Sequence, residues 1–294
     1  MLVNNFLKKI LFFLFFLVEK TKTLEFSKYF FQSWCMPELP EVETLCRQLK
    51  PVIVGEEILG MEIIDSRLGT VDGLVGKSIT SVARCGKALE IRLDSGASLL
   101  LHLRMTGRLQ WQSDQRELPP HTRFVMTFAV GRLLCIDPRR FATLTLQDSR
   151  ISKTSVRDPL RDRSFLQLRE IAKSKKLPVK SFLMDQRIVT GIGNIYACEI
   201  LHEASINPWR QTCNVSRSEW EKIAEAAKGI LNRAIACRGT TVSDWRDLFG
   251  KKGEYQHELK VYDREGLPCL LCHSSIQRLR LSGRGTYFCP SCQA

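Results

Sequence analysis

The sequence predicts an α+β protein, with an N-terminal antiparallel β-sandwich or barrel flanked by helices and then a helical domain ending in a zinc-ribbon β-hairpin. Three observations carry this. Residues 89–147 hold short alternations of apolar and polar side chains parted by turn signals, residues 216–234 hold an apolar stripe at helical spacing, and the last 26 residues hold two CxxC pairs.

The first element after residue 35 is a helix. In MPELPEVETLCRQLKPVIVG, Val42, Leu45, Cys46 and Leu49 recur at helical spacing, while Glu38, Glu41 and Glu43 place negative charge in the first turns. Pro51 is expected to end it. Strands follow. Leu89, Ile91 and Leu93 alternate with Glu90, Arg92 and Asp94, DSGA turns the chain into SLLLHLRM, and further strands read FVMTFA, RLLCID and ATLTLQ. The stretch from about Asp148 to Asp162 is polar and without period, which suits an interdomain linker. Beyond it Ser216 and Glu219 form a capping-box signature, and Trp220, Ile223, Ala227, Ile230, Leu231 and Ala234 make one apolar stripe. The expected divisions are 36–150 for the sandwich, 151–165 for the linker, 166–265 for the helical domain and 266–294 for the ribbon.

Residues 1–35 differ from all that follows. Lys8 and Lys9 precede the run Ile10 to Val18, which is well short of the roughly 20 residues that span a bilayer. No small-residue cleavage pattern comes after it. The expectation is that translation begins at Met36, that the extension is not in the mature protein, and that no stable membrane association occurs.

The charge narrows the partners. Forty-four Lys and Arg against 31 Asp and Glu give +13, an excess that points to a polyanion and first to nucleic acid. Of 11 cysteines, Cys35, Cys46, Cys85, Cys135, Cys198, Cys213 and Cys237 are scattered, mostly among apolar residues, as free thiols of a cytoplasmic protein would be. The other four are Cys269, Cys272, Cys289 and Cys292, two CxxC pairs with 16 residues between them. That spacing suits one tetrahedral zinc held by four thiolates, which leaves no open position and so makes the metal structural. The hairpin between the pairs carries Arg278, Arg280 and Arg284, so the metal would present basic side chains to phosphate.

Several stretches together resemble formamidopyrimidine-DNA glycosylases: PELPEVET at Pro37 to Thr44, GK at Gly86 and Lys87, HLRMTGRL at His102 to Leu109, DPRRF at Asp137 to Phe141, DQRIVTGIGNIYACEIL at Asp185 to Leu201, LKVYDREGLPC at Leu259 to Cys269, and GRGTYFCPSCQ at Gly283 to Gln293. The resemblance covers the chain from Met36 onward, in family order. It departs at the extension and at Asp263, where the family commonly has glycine.

The resemblance implies an N-terminal β-sandwich, a helix-two-turn-helix domain and a zinc finger. It implies a bifunctional glycosylase and abasic-site lyase acting on damaged double-stranded DNA as a monomer at the nucleoid, with one structural zinc and no redox or nucleotide cofactor. Pro37 would be the nucleophile. A secondary amine attacking C1′ of the damaged nucleoside yields a cationic iminium that drives β,δ-elimination, which an amide nitrogen cannot do. Glu38 would be the general acid and base, with Glu41 in support. Lys87 would contact the lesion or its phosphate. Met105 and Phe141 would fill the gap left by a flipped nucleotide, and Arg139 would bond the orphaned cytosine. Asn194 and Arg284 would hold phosphates, with Gly191 and Gly193 letting backbone amides approach one. Gly239 to Trp245 would belong to a lesion-covering loop. The expected lesions are 8-oxoguanine opposite cytosine and formamidopyrimidines. The rivals are an endonuclease VIII-like enzyme for oxidised pyrimidines, and a non-catalytic DNA-binding protein if Pro37 stays acylated.

Overall fold

The computed structural model describes residues 36–114, 116–148, 157–160 and 167–294. The extension 1–35 and most of the expected linker lie outside the described residues.

Helix α1 (Leu39–Ile53) buries Val42, Leu45, Cys46, Leu49 and Ile53, the face its spacing predicts. It does not stop at Pro51. Proline removes one amide bond and crowds the carbonyl four residues back, but Pro51 lies only two residues from the helix end, and Ile53 beyond it is fully buried in the core. The strain is confined to the last turn, which the Val54 amide closes by donating to the Lys50 carbonyl at 3.2 Å.

Strands β1 (Gly60–Ile63), β2 (Ile79–Cys85), β3 (Ala88–Leu93), β4 (Ala97–His102), β5 (Arg108–Gln112), β6 (Thr122–Phe128), β7 (Gly131–Ile136) and β8 (Thr143–Asp148) form two four-stranded antiparallel sheets. Their orders are β1-β6-β7-β5 and β2-β3-β4-β8. The register of β3 on β4 sets Leu89 against Leu101 and Ile91 against Leu99, so alternate apolar side chains share one face. Both sheets and α1 contribute to one core, where Ile91, Leu99 and Leu101 meet Leu109, Phe124 and Leu133. This is the sandwich.

Helices α2 (Leu168–Lys173), α3 (Val179–Met184), α4 (Asn194–Glu203) and α5 (Arg217–Ala236) follow. At the start of α5 the Glu219 amide donates to Ser216 Oγ at 3.3 Å, and the Ser216 amide donates back to Glu219 Oε2 at 2.8 Å. The stripe from Trp220 to Ala234 is buried. Hairpin strands β9 (Gln277–Leu281) and β10 (Arg284–Phe288) close the chain. Asp263, where the resembled family commonly has glycine, has φ 59, the left-handed region that Asp tolerates better than most side chains. Among the described residues no helix is long and apolar enough to cross a membrane.

Candidate functional site

The start of α1 is a buried corner. Pro37 and Glu38 precede the helix and are both buried. The Glu38 carboxylate does not face water. It accepts the Gly193 amide on Oε2 at 2.6 Å and the Ile195 amide on Oε1 at 3.0 Å. These are donors at the N-terminus of α4, which would otherwise lack partners and which favour a negative charge. Lys87, in the tight turn between β2 and β3, is also buried, and its charge acts on Glu38. Burial raises the Glu38 pKa above the ordinary carboxylate value, opposed by Lys87 and by the α4 amides.

Glu41 lies one turn on. Its Oε2 accepts the Glu38 amide at 2.8 Å, and its Oε1 accepts the Tyr196 hydroxyl at 2.6 Å and the Thr240 amide at 2.8 Å. Burial and then the Glu38 charge push its pKa up to about 7, against the hydrogen bonds from Tyr196, Thr240 and Glu38. Two buried carboxyls whose pKa values burial raises, that of Glu41 to about 7, therefore adjoin the chain segment containing Pro37.

GIGN has a different local role from the one expected. The Gly193 amide serves Glu38, and the Gly191 amide donates to Gln186 Oε1 at 2.9 Å, so neither amide is free for a phosphate here. The glycines are needed for space. A Cβ on Gly193 would sit 2.3 Å from Glu38 Cδ, and one on Gly191 would sit 2.7 Å from Leu39 Cδ1.

A second region is built on Asp137, which is fully buried. Its Oδ2 accepts the Phe141 and Ala142 amides, each at 2.7 Å, and its Oδ1 accepts the Arg139 amide at 3.2 Å and the Thr106 hydroxyl. One carboxylate thus holds the turn carrying Arg139 and Phe141 and ties it to the turn carrying Met105. Arg104 and Arg140, each just before a tip residue, have φ 57 and 60, a costly conformation for a side chain this large. Arg140 is held by Asp65, whose pKa that guanidinium lowers to about 2. The tips stand out of the core, Met105 at 37% and Phe141 at 42% exposed, and the Arg139 guanidinium lies 4.7 Å from the Phe141 ring centre. A core role for Met105 and Phe141 is excluded.

The third region joins α4 to the hairpin. Asn194 Nδ2 donates to the Gly285 carbonyl at 3.0 Å, and Arg284 is exposed at the start of β10. Between them lies Lys180 on α3, which the sequence reading missed. The residue is 1% exposed, and its ammonium donates to Asn194 Oδ1 at 2.7 Å, Thr286 Oγ1 at 2.7 Å and the Gly285 carbonyl at 3.2 Å. Three acceptors compensate for burial, which lowers its pKa. The available signal was a lysine among Val179, Phe182 and Leu183, where an exposed charge was not to be expected.

The segment after α5 was expected to contribute a loop near the lesion from Gly239 to Trp245. Gly239 packs against Glu41, where a Cβ would come within 2.7 Å of Oε1, and Trp245 joins the sandwich core. The chain is pinned again just beyond this segment. Gln48 of α1 donates to Asp247 Oδ2 at 2.9 Å and accepts the Leu248 amide at 3.0 Å, and Leu248 is fully buried.

The four cysteines Cys269, Cys272, Cys289 and Cys292 bring their sulfurs within 4.8 Å of one another. Pairs lie 3.9 Å and 3.4 Å apart, against about 3.8 Å for a tetrahedron with Zn–S near 2.3 Å. The residues fit a structural zinc, and ligand amides support it: Leu271 N–H points at Cys269 Sγ and Cys292 N–H at Cys289 Sγ, both at 3.4 Å.

Comparison with known proteins covers the same residues. Residues 36–144 match the model of the formamidopyrimidine-DNA glycosylase N-terminal domain, residues 156–245 that of the H2TH domain, and residues 266–294 that of the zinc finger found in FPG and IleRS. The formamidopyrimidine-DNA glycosylase of Desulfitobacterium hafniense is 38% identical over 274 residues, covering 88% of this chain and all of the relative. That of Exiguobacterium sp. is 35% identical over 274 residues, covering 88% of this chain and 99% of the relative. A Lactococcus lactis FPG mutant solved with Fapy-dG-containing DNA superposes with a TM-score of 0.81 at 32% identity, covering 87% of this chain and 99% of that one. The wild-type Lactococcus lactis protein solved with oxidised-pyrimidine-containing DNA superposes with a TM-score of 0.80 at 32% identity, over the same shares of the two chains.

Proposed function

The chain belongs to the formamidopyrimidine-DNA glycosylase family, and from that premise we propose that it excises oxidised purines from damaged duplex DNA and then cleaves the strand as a lyase. The observation that carries the reading is the buried corner in which Glu38, next to the buried Pro37, takes the amides at the start of α4 and feels the charge of Lys87.

In the proposed reaction the Pro37 nitrogen bonds to C1′ as the bond from C1′ to the base breaks, and the base leaves with a proton. The ring bond from C1′ to O4′ then opens, O4′ takes a proton from the Glu38 carboxyl, and an iminium is left between Pro37 and C1′. Loss of a proton from C2′ expels the 3′ phosphate, and a second elimination expels the 5′ phosphate. Burial that favours the protonated form of Glu38 suits a donor to O4′. Lys87 orients Glu38 and meets the lesion side of the sugar. Met105 and Phe141 fill the vacated stack and Arg139 bonds the widowed cytosine, a reading supported by their exposure on turns fixed through one carboxylate. Asn194 and Arg284 hold lesion-strand phosphates, with the zinc keeping the hairpin folded. The segment from Gly239 covers the everted base. Residues 36–150 act as the catalytic domain and 166–265 as the helical DNA clamp.

The chemistry requires a free secondary amine at Pro37, so the active form starts there, without residues 1–36. Borohydride trapping on duplexes containing 8-oxoguanine opposite cytosine or thymine glycol tests the whole reading. Protein produced from Met36, with that methionine removed, forms the covalent adduct preferentially on 8-oxoguanine, whereas protein verified by mass to keep Met1 binds without trapping. Adduct formation by protein that keeps Met1, whose Pro37 nitrogen is an amide, overturns the nucleophile assignment, and a preference for thymine glycol establishes the oxidised-pyrimidine alternative.

A further inference from the structure

Helix α4 begins at the acid corner and ends at the metal. In its last turn His202 is completely buried, and its Nε2 lies 3.6 Å from Sγ of Cys269. The four ligand sulfurs form a closed group that does not include this imidazole, so His202 stands beside the metal site without being one of its ligands. Its other nitrogen, Nδ1, is buried and has no hydrogen-bond partner.

These two facts fix the tautomer once zinc is bound. Cys269 is then a thiolate, an acceptor with no proton to give. Were the proton on Nδ1, a buried N–H would lack an acceptor and the bare Nε2 lone pair would face the thiolate, two unfavourable contacts at once. With the proton on Nε2, an N–H faces the sulfur and only an unused lone pair remains at Nδ1. Four thiolates around one Zn²⁺ leave a net charge of about −2 at the site, close to the C-terminal end of α4, where helix carbonyls add negative potential. The imidazole N–H places a positive dipole end between them. The Leu271 amide already points at the same sulfur, so Cys269 is doubly supported, once from within the ribbon and once from the helical domain.

We propose that His202 is a positioning residue of the zinc site, donating its Nε2–H to the Cys269 thiolate and thereby slowing both metal loss and attack of that sulfur on electrophiles. A donor to a zinc-bound thiolate lowers the energy of its lone pair, weakening it as a nucleophile and as a proton acceptor, the two routes by which the bond to zinc is lost. Through this contact α4 links metal retention to the helix whose first turn holds Glu38.

The test uses the zinc-loaded full chain and two replacements, His202→Phe, which keeps the ring volume without a donor, and His202→Gln, which keeps an N–H. Zinc release to a chromophoric chelator, with and without a thiol-alkylating reagent, is read beside thermal unfolding. Loss of a partner group that orients a metal ligand typically weakens metal binding by about 10- to 100-fold. His202→Phe is expected to release zinc about tenfold faster, and His202→Gln within about threefold of the wild type, scaled from the same range. In cobalt-substituted protein the thiolate-to-metal charge-transfer band shifts to lower energy for the phenylalanine variant alone. A packing role predicts the same defect for both variants and no band shift. Equal release by all three proteins, or equal acceleration by both variants, overturns the proposal. Should the phenylalanine variant fail to load metal, His202→Met against His202→Gln makes the same comparison.

Discussion

Asp137→Asn removes one oxygen and changes little else in shape. In the wild type Oδ1 takes the Thr106 hydroxyl and the Arg139 amide, while Oδ2 takes the Phe141 and Ala142 amides. Whichever way the new amide is turned, its NH₂ faces two donors. The less costly orientation keeps oxygen toward the two 2.7 Å contacts and gives up Thr106, whose hydroxyl can rotate, and the longer Arg139 contact at 3.2 Å. Two lost acceptor positions at a fully buried site, each worth about 1–3 kcal/mol and partly recovered by relaxation, come to about 2–4 kcal/mol. The loss falls on the tie between the Met105 and Phe141 turns. Urea unfolding measures the stability change. Fluorescence anisotropy on an abasic-analogue duplex and its undamaged counterpart measures discrimination, which is expected to fall tenfold or more, since about 1.4 kcal/mol is a factor of ten. The salt slope stays unchanged because no phosphate-facing cation is touched. A variant with wild-type stability and wild-type discrimination would refute the claim that this carboxylate organises both turns.

Two further outcomes follow from charge. Arg284→Ala, at an exposed cation, should weaken binding to any duplex and lower the slope of log K against log salt by about one unit; an unchanged slope in salt titrations removes Arg284 from the phosphate contacts. The Glu41 carboxyl, near 7 when folded against an ordinary 4.5, holds a proton in the folded state that the unfolded chain has released between those pH values. Folding stability contributed by this group is therefore lost as pH rises from 4.5 to 7, by up to roughly 3 kcal/mol. Glu41→Gln should flatten that limb of the stability profile in urea unfolding at pH 5 and pH 7.5, and a wild-type slope in the variant would show that Glu41 is not its source.

What the sequence revealed was what local pattern encodes. The stripe of α5, its Ser216 and Glu219 cap, the alternation of β3 and the cysteine spacing each state their own structure within a few residues. Partners far apart in the chain were hidden, because a buried polar side chain finds its acceptor only once the fold exists. Nothing near Lys180 says that Thr286 and Gly285 will receive its ammonium, and nothing near Gln48 says that it will hold Asp247 and Leu248. Asp137 stood in a quoted motif for its neighbours, while its own work, four donors on one carboxylate, was invisible. Pro51 misled for the opposite reason, a local rule overridden by the burial of Ile53.

The GIGN turn is where the two readings of the site part most sharply. If Gly193 exists to admit a phosphate, adding a methyl group should weaken DNA binding. If it exists to admit Glu38, the methyl should displace an acid and leave binding intact. Backbone strain does not confuse the comparison, because Gly193 has φ −127, a conformation open to alanine. The clash is specific: a Cβ there would come within 2.3 Å of Glu38 Cδ and 2.4 Å of Oε1, far inside contact distance, so the carboxylate must swing away and lose the 2.6 Å bond from the Gly193 amide. Glu38 is next to Pro37 and is the proton donor to O4′, so its displacement should slow ring opening and hence formation of the trappable adduct by about 10²–10⁴-fold, the usual range for losing a positioned acid or base. Gly193→Ala, in the form starting at Pro37, is therefore expected to bind an abasic-analogue duplex with unchanged affinity and salt slope while trapping poorly. Single-turnover trapping on saturating 8-oxoguanine duplex, set beside anisotropy on the same protein, reads both quantities. A variant that binds weakly but traps at the wild-type rate once bound would return the turn to phosphate recognition and remove Glu38 from the reason for its glycine.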